Sequence, residues 1–224
     1  RMWKAARVMS HIIRHFPFVR AVFVSGELSK GVARKNSDID FFIVTAENRV
    51  WICRTLFALF KKILLFNRKK FFCYNLITSE RNLGIAERSI YTAVEAVTVK
   101  PLFNEVFEEF IKANSWTMQY LPNAKISTKP SKHTIPEPFL LERIATALFT
   151  SEKLDILDRW LLEKWKGIWK KRYHYLNAGE LEHRFQCQPN LSTAYAGDFL
   201  HKVMDLYRHR LDRYGIVRAN QFLV

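Results

Sequence analysis

Three chemistries lack the residues they would need in this chain. Cysteine occurs three times, at Cys53, Cys73 and Cys187, widely separated and with no C-x-x-C pair. Neither a disulfide framework nor a zinc ribbon is expected from that count, and a reducing, cytoplasmic setting fits it best. A membrane span is missing too. The most membrane-like stretch, Val50 to Phe66, carries Arg54, Lys61 and Lys62 inside it, whereas a spanning helix wants about 20 nearly uncharged residues. The opening residues do not read as a signal peptide, because Arg7, Arg14 and Arg20 interrupt the apolar positions around Val8, Ile12 and Phe16. Acid is scarce: 21 Asp and Glu face 36 Lys and Arg, leaving a formal charge of +15. Phosphates, nucleic acid or an anionic membrane are the partners such a balance suggests. With 49% hydrophobic and 14% aromatic residues over 224 positions, a disordered chain is excluded and compact cores are within reach.

Periodicity divides the chain. Met9, Ile12, Ile13 and Phe16 recur at helical spacing, so residues 3–16 are expected to form an amphipathic helix stopped by Pro17. Two short β-branched and aromatic runs, Val19–Val24 and Ile39–Thr45, then flank a polar loop holding Gly26 and Gly31. Residues 48–66 predict a second helix with Trp51, Phe57, Phe60, Leu64 and Leu65 in the core and Arg54, Lys61 and Lys62 facing out. A third strand is expected at Phe71–Ile77, and beyond Gly84 only helices: 88–99, one from Phe103 to near Asn114, then Phe139–Phe149, Leu154–Tyr175 and Phe199–Tyr214. Residues 122–138 hold four of the seven prolines and no apolar period, which marks a linker.

The segment that carries chemistry runs from Val22 to Val44. Asp38 and Asp40 stand at i and i+2 before a hydrophobic run, so both carboxylates are expected on one face of a strand, where two acids can share a divalent cation. A glycine loop upstream at Ser25-Gly26 offers backbone N–H groups to a phosphate.

With Gly26, Lys30-Gly31, Ala33-Arg34 and Ser37-Asp38-Ile39-Asp40-Phe41, this segment resembles the nucleotidyltransferases of DNA polymerase beta type, in particular their small bacterial minimal branch. The resemblance implies an α/β fold, with a small mixed-sheet core followed by a mainly helical C-terminal region. It implies Asp38 and Asp40 as catalytic residues and ligands of Mg²⁺ or Mn²⁺, with Asn75 as a further ligand. Ser25, Gly26, Ser29, Lys30, Arg34 and Ser37 would bind a nucleoside triphosphate, ATP first among them. Lys35 lies beside that loop as well. The implied reaction is transfer of a nucleoside monophosphate to an acceptor hydroxyl on a small molecule, an RNA end or a protein, and the charge makes RNA or another anionic macromolecule a plausible acceptor.

Two positions depart from the family pattern. Glu27 follows Gly26 where the family places Ser or Gly, so Ser25 or Ser29 would have to supply the hydroxyl. Asn75 occupies the third-strand position of a carboxylate, and an amide cannot act as a general base. Proton removal would then fall to a water on the metal, to Glu80, or to the acceptor's own surroundings. A catalytically weakened, antitoxin-like regulator that binds nucleotide or RNA is the competing reading. The expected organisation is a core over 1–84, a helical extension over 85–121, the linker over 122–138 and a helical region over 139–224. For the segment Trp160 to Tyr175, a helix burying Trp165 and Trp169 with its lysines in water is favoured over an RNA-stacking surface.

Overall fold

Strand alternation decides the layering of this mixed α/β fold, a computed structural model that describes residues 1–66, 70–103, 106–124, 126, 140–195 and 197–216. β1 (Val19–Ser25) and β2 (Asp40–Thr45) pair antiparallel, with Ser25 opposite Asp40 and Phe23 opposite Phe42. Val22, Val24, Phe41 and Ile43 enter one core, while Ala21, Phe23, Phe42 and Val44 enter another. Strands this apolar on both faces need a helical layer on each side.

The first face carries α1 (Met2–Ile13), which buries Ala6, Met9 and Ile13, and α3 (Val50–Ile63), which buries Trp51 and Phe57. Between them in sequence, α2 (Gly26–Ser29) is a single turn. α3 crosses from β2 to β3 (Cys73–Ser79), and the two strands are parallel, as a helical crossover permits. The second face is covered by α4 (Ile90–Thr98) through Ala96 and by α5 (Phe107–Ala113) through Phe107 and Phe110.

Strands do not stop at Gly84. β4 (Lys100–Phe103) pairs with β1 at the sheet edge, where Pro101 costs little because an edge residue can forgo one ladder hydrogen bond. Phe103 therefore belongs to a strand, and the helix expected from it begins at Phe107. After α6 (Thr117–Tyr120), α7 (Leu140–Leu148), α8 (Ser151–Arg172) and α9 (Ala178–Arg184), the chain returns to the sheet as β5 (Cys187–Gln188) and β6 (Leu191–Thr193). β6 pairs antiparallel with β3, giving the order β4-β1-β2-β3-β6-β5. Strands of two and three residues are too short for alternation to reveal. α10 (Phe199–Arg213) follows. Most of the linker expected over 122–138 lies outside the described residues. Among the described residues no helix is long and apolar enough to cross a membrane.

α8 lies along α3 and corrects the outward placement of Arg54. The guanidinium is buried under the Trp169 ring, 4.6 Å from its centroid, with Trp165 and Tyr74 each at 5.5 Å. Its Nε and Nη1 have no hydrogen-bond partner among the described residues, and burial lowers its pKa to about 10. A desolvated guanidinium on ring faces recovers about 2 kcal/mol, comparable to the cost of one unpaired N–H. Leu64 is likewise misplaced by the sequence reading: it caps the C-terminus of α3 and is exposed. Trp165 and Trp169 do pack inward, whereas Trp160 is exposed.

Acidic side chains tie the later helices to the sheet. Glu142 of α7 accepts the Phe18 N–H at 2.9 Å and pairs with Arg20 at 3.0 Å. Asp155 of α8 pairs with Arg49. Buried Asp158 accepts the Trp51 and Ile52 N–H groups at 2.9 and 2.8 Å, capping α3 from another helix. Burial pushes the Asp158 carboxyl from 3.8 up to about 7, against the two backbone hydrogen bonds and Arg49. Because the folded pKa is the higher one, its favourable contribution is complete below the unfolded value and is lost as pH rises through about 7. Asp158→Asn keeps an acceptor without the charge, so the melting temperature of the parent relative to this variant is expected to fall as pH rises from acid to neutral. Asp158→Ala should lose about 1–3 kcal/mol of stability at acid pH, a loss that shrinks as pH rises for the same reason. Denaturation across the pH series checks both, and a pH-independent difference from Asp158→Asn would refute the linkage.

Candidate functional site

The register of two strands builds the site. With Ser25 opposite Asp40, the turn out of β1 lies against the start of β2. Gly26 makes that turn with φ +67°, and a Cβ there would stand 2.3 Å from Asp40 Oδ2. Only glycine fits so close to the carboxylate, in a conformation other residues adopt at a cost. Asp40 has the parity of Phe42 and Val44 and so leaves the sheet on the side of α4, while Ile39 between the two acids is buried in the opposite core. Asp38 precedes the strand, is half-buried, and makes no hydrogen bond or ion pair among the described residues.

Burial pushes the Asp40 carboxyl up to about 6. The neighbouring Cys73 thiol opposes that shift, the charges of Asp38 and Glu95 add to it, and Lys30 opposes it. Asn75 stands on β3 beside the acid and donates from Nδ2 to Asp40 Oδ1 at 3.1 Å. Its amide oxygen faces the Cys73 thiol, 3.3 Å away. As it stands, the amide presents its NH₂ to Asp40 and its oxygen elsewhere. The rim beyond it is built by the late strand, since the Ala194 N–H donates to the Asn75 carbonyl at 2.8 Å.

The loop residues separate into two groups. Ser29 donates to the Gly26 carbonyl at 2.9 Å and is buried, and Lys30 reaches the same carbonyl at 3.1 Å. The Lys30 ammonium is also 2.8 Å from Glu95 of α4. Ser25 opens α2 with its side chain making no capping hydrogen bond. Ser37 lies away from Asp40, donating to Glu27 and accepting the Arg34 N–H at 2.8 Å. Glu27 is exposed and held by that serine, and the Arg34 and Lys35 side chains are exposed on the same loop. Glu80 is not near. Since β2 and β3 are parallel, with Asp40 beside Cys73 and Thr45 beside Ser79, Glu80 lies at the opposite sheet end. Strand rise puts it roughly 20 Å from Asp40, beside Arg20.

The site also holds a group that sequence reasoning missed. Glu95 enters from α4 with Tyr91 one turn before it, and burial followed by the charge of Glu95 raises the tyrosine's pKa. Its signal was present but faint: one carboxylate in a helix otherwise made of Ile, Tyr, Thr, Ala and Val. Among the described residues no group of three or more His, Cys, Asp and Glu is placed to hold a metal ion. The available donors are thus the two aspartates. Magnesium commonly takes one or two protein carboxylates and fills its other positions with phosphate oxygens and water, so this donor set fits it.

No family model matches the chain, and no curated protein matches it. A solved structure described as the crystal structure of a toxin–antitoxin with AMP-PNP is similar at 15% identity. The likeness covers 53% of this chain and 86% of that one, with a TM-score of 0.31. A superposition that loose assigns neither family nor function.

Gly26 and Gly31 provide an internal comparison. Both have positive φ, but a Cβ on Gly31 would meet nothing within 4 Å. Gly31→Ala should cost only backbone strain, about 1 kcal/mol. Gly26→Ala must also displace Asp40 and is expected to cost at least about 2 kcal/mol. Equal losses in chemical denaturation would show that Asp40 is not fixed against the glycine.

Proposed function

We propose that the chain binds a nucleoside triphosphate with a divalent cation at Asp38 and Asp40 and transfers its nucleotidyl group to an acceptor hydroxyl. The observation that carries the reading is the contact of Gly26 with Asp40: a left-handed glycine turn, of the kind that lets backbone approach a phosphate, packs against a carboxylate whose charge burial makes costly. Asp38 and Asp40 would hold Mg²⁺. When bound, the cation supplies Lewis-acid stabilisation of charge on the attacking and leaving oxygens.

The chain's own groups do the rest. Lys30, released from Glu95, neutralises the phosphates, and Arg34 and Lys35 add charge from the exposed loop. Ser25 supplies the hydroxyl that Glu27 cannot. The acceptor oxygen forms a bond to the α-phosphorus as the bond to the bridging oxygen breaks, and pyrophosphate departs with that electron pair. Glu95, freed of its lysine, takes the acceptor's proton, replacing the carboxylate that Asn75 lacks. A second reading, a nucleotide-binding regulator without turnover, draws support from Asn75 and Glu27, the two departures from the family pattern.

The test uses Mg²⁺ and triphosphates labelled at the α-phosphate, with and without cellular RNA or protein. Label transfer is expected, and Asp40→Asn should reduce it by ~100-fold or more. Glu95→Gln should lower the maximal transfer rate while tightening triphosphate binding up to about fivefold, since Lys30 loses a competitor worth under about 1 kcal/mol. Metal-dependent binding without transfer would leave the regulator reading. No binding at all would sink both.

A further inference from the structure

We propose that the C-terminal end of α3 and the approach to β3 form a docking surface for an anionic lipid bilayer. The apolar element is large and outward. Leu59 is 48% exposed, Ile63 63%, Leu64 64%, Phe66 80% and Phe71 43%, within a short stretch of chain. Leu59 and Ile63 lie one turn apart on the outer side of α3, while Trp51 and Phe57 of the same helix are fully buried. This helix therefore has two apolar sides and only one of them meets the sheet.

Charge identifies the occupant. From Asn48 to Ser79 the sequence contains no Asp or Glu. Lys62 and Lys70 are exposed among the apolar residues, and Lys61 lies over the Tyr74 ring at 5.4 Å. Arg34 and Lys35 arrive at the same sheet end, because the Ile39 N–H donates to the Lys70 carbonyl at 3.0 Å. Apolar side chains and cations on a stretch with no acid of its own, with Asp38 and Asp40 on the neighbouring segment, match the boundary between acyl chains and anionic headgroups, where buried apolar area and charge attraction add. An RNA surface fits less well: Phe66 and Phe71 offer rings, but the rest of the exposed patch, Leu59, Ile63 and Leu64, is aliphatic and gives a base nothing to stack on. A second copy of the chain would bring two cationic rims together, which repel.

The placement has a functional consequence. α3 ends where β2 and β3 begin, so the docked face and the Asp40 end of the sheet share one side of the molecule. The bilayer would then lie beside the candidate site. This inference rests on exposure and charge and stands whether or not the chain transfers nucleotides.

Co-sedimentation of the full chain with phosphatidylcholine vesicles, pure or mixed with phosphatidylserine in equal parts, tests it. Binding is expected to the mixed vesicles and not to the pure ones, and to weaken with salt. Leu64→Glu with Phe66→Glu should lower partitioning by at least about tenfold, and Lys62→Glu with Lys70→Glu by a similar factor, at about fivefold per cation. All four positions are exposed, so melting temperatures should stay unchanged and serve as the folding control. Absence of binding to mixed vesicles would overturn the proposal, as would binding that the Leu64 and Phe66 changes leave intact. Retention of RNA that these same variants lose, without vesicle binding, would reassign the face to nucleic acid.

Discussion

A single carboxylate in the later half of the chain holds the first face of the sheet together. Asp158 closes the N-terminus of α3, and its position on α8 fixes that long helix across the crossover. Without that cap, two orphan N–H groups would be buried beneath α8, at roughly 1–3 kcal/mol together. With it, Trp169 is set over Arg54 and Trp51, and Phe185 completes the aromatic layer. The fold thus accepts two costly buried charges, Arg54 and Asp158, in the same interface. Each has partners the other lacks: the arginine has ring faces, the aspartate has helix-end N–H groups. Neither is paired with an opposite charge by a direct bond, which makes this interface sensitive to protonation.

The other end of the sheet depends on register instead of capping. Because Ser25 faces Asp40, one left-handed glycine is enough to place a turn, a carboxylate and the single-turn α2 together. Lys30 and Glu95 then connect that turn to α4 on the second face. A half-exposed pair of this kind is worth only a few tenths to about 1 kcal/mol. It is a contact that an incoming anion could displace, whereas the Gly26–Asp40 contact is held by packing and backbone. The site therefore combines a rigid part, made by strands, and an exchangeable part, made by one ion pair.

What the sequence disclosed follows from interaction range. α1, β1 and β2 were legible because their apolar periods are local and end near Pro17, Gly26 and Thr45. Asp40 takes the parity that alternation predicts for it, while Asp38 lies just before the strand that was expected to hold both. Arg54 was misjudged because helical periodicity knows only one buried face, and α8 supplied a second cover from far along the chain. β5 and β6 are shorter than one full alternation, so only pairing with β3 makes them strands. Glu80 was a candidate base only while the direction of β3 was unknown; parallel pairing with β2 carries it to the wrong end. Glu95 went unnoticed because its role depends on where α4 is laid down.

The distribution of charge follows from the same geometry. A surplus of +15 spread over one chain would ordinarily be read as a diffuse attraction to polyanions. Yet the acids are used locally: Glu142, Asp155 and Asp158 tie later helices to the core, and Glu95 neutralises Lys30. From Asn48 to Ser79 there is no acid to spend in this way. Of the described cations in that stretch, Arg49 reaches Asp155 of α8, Arg54 and Lys61 lie over aromatic rings, and Lys62 and Lys70 are exposed toward the sheet end where Asp40 lies. Local scarcity of acid, more than the total charge, gives this molecule a polarity: one end bound together by carboxylates, the other left cationic around a pair of aspartates.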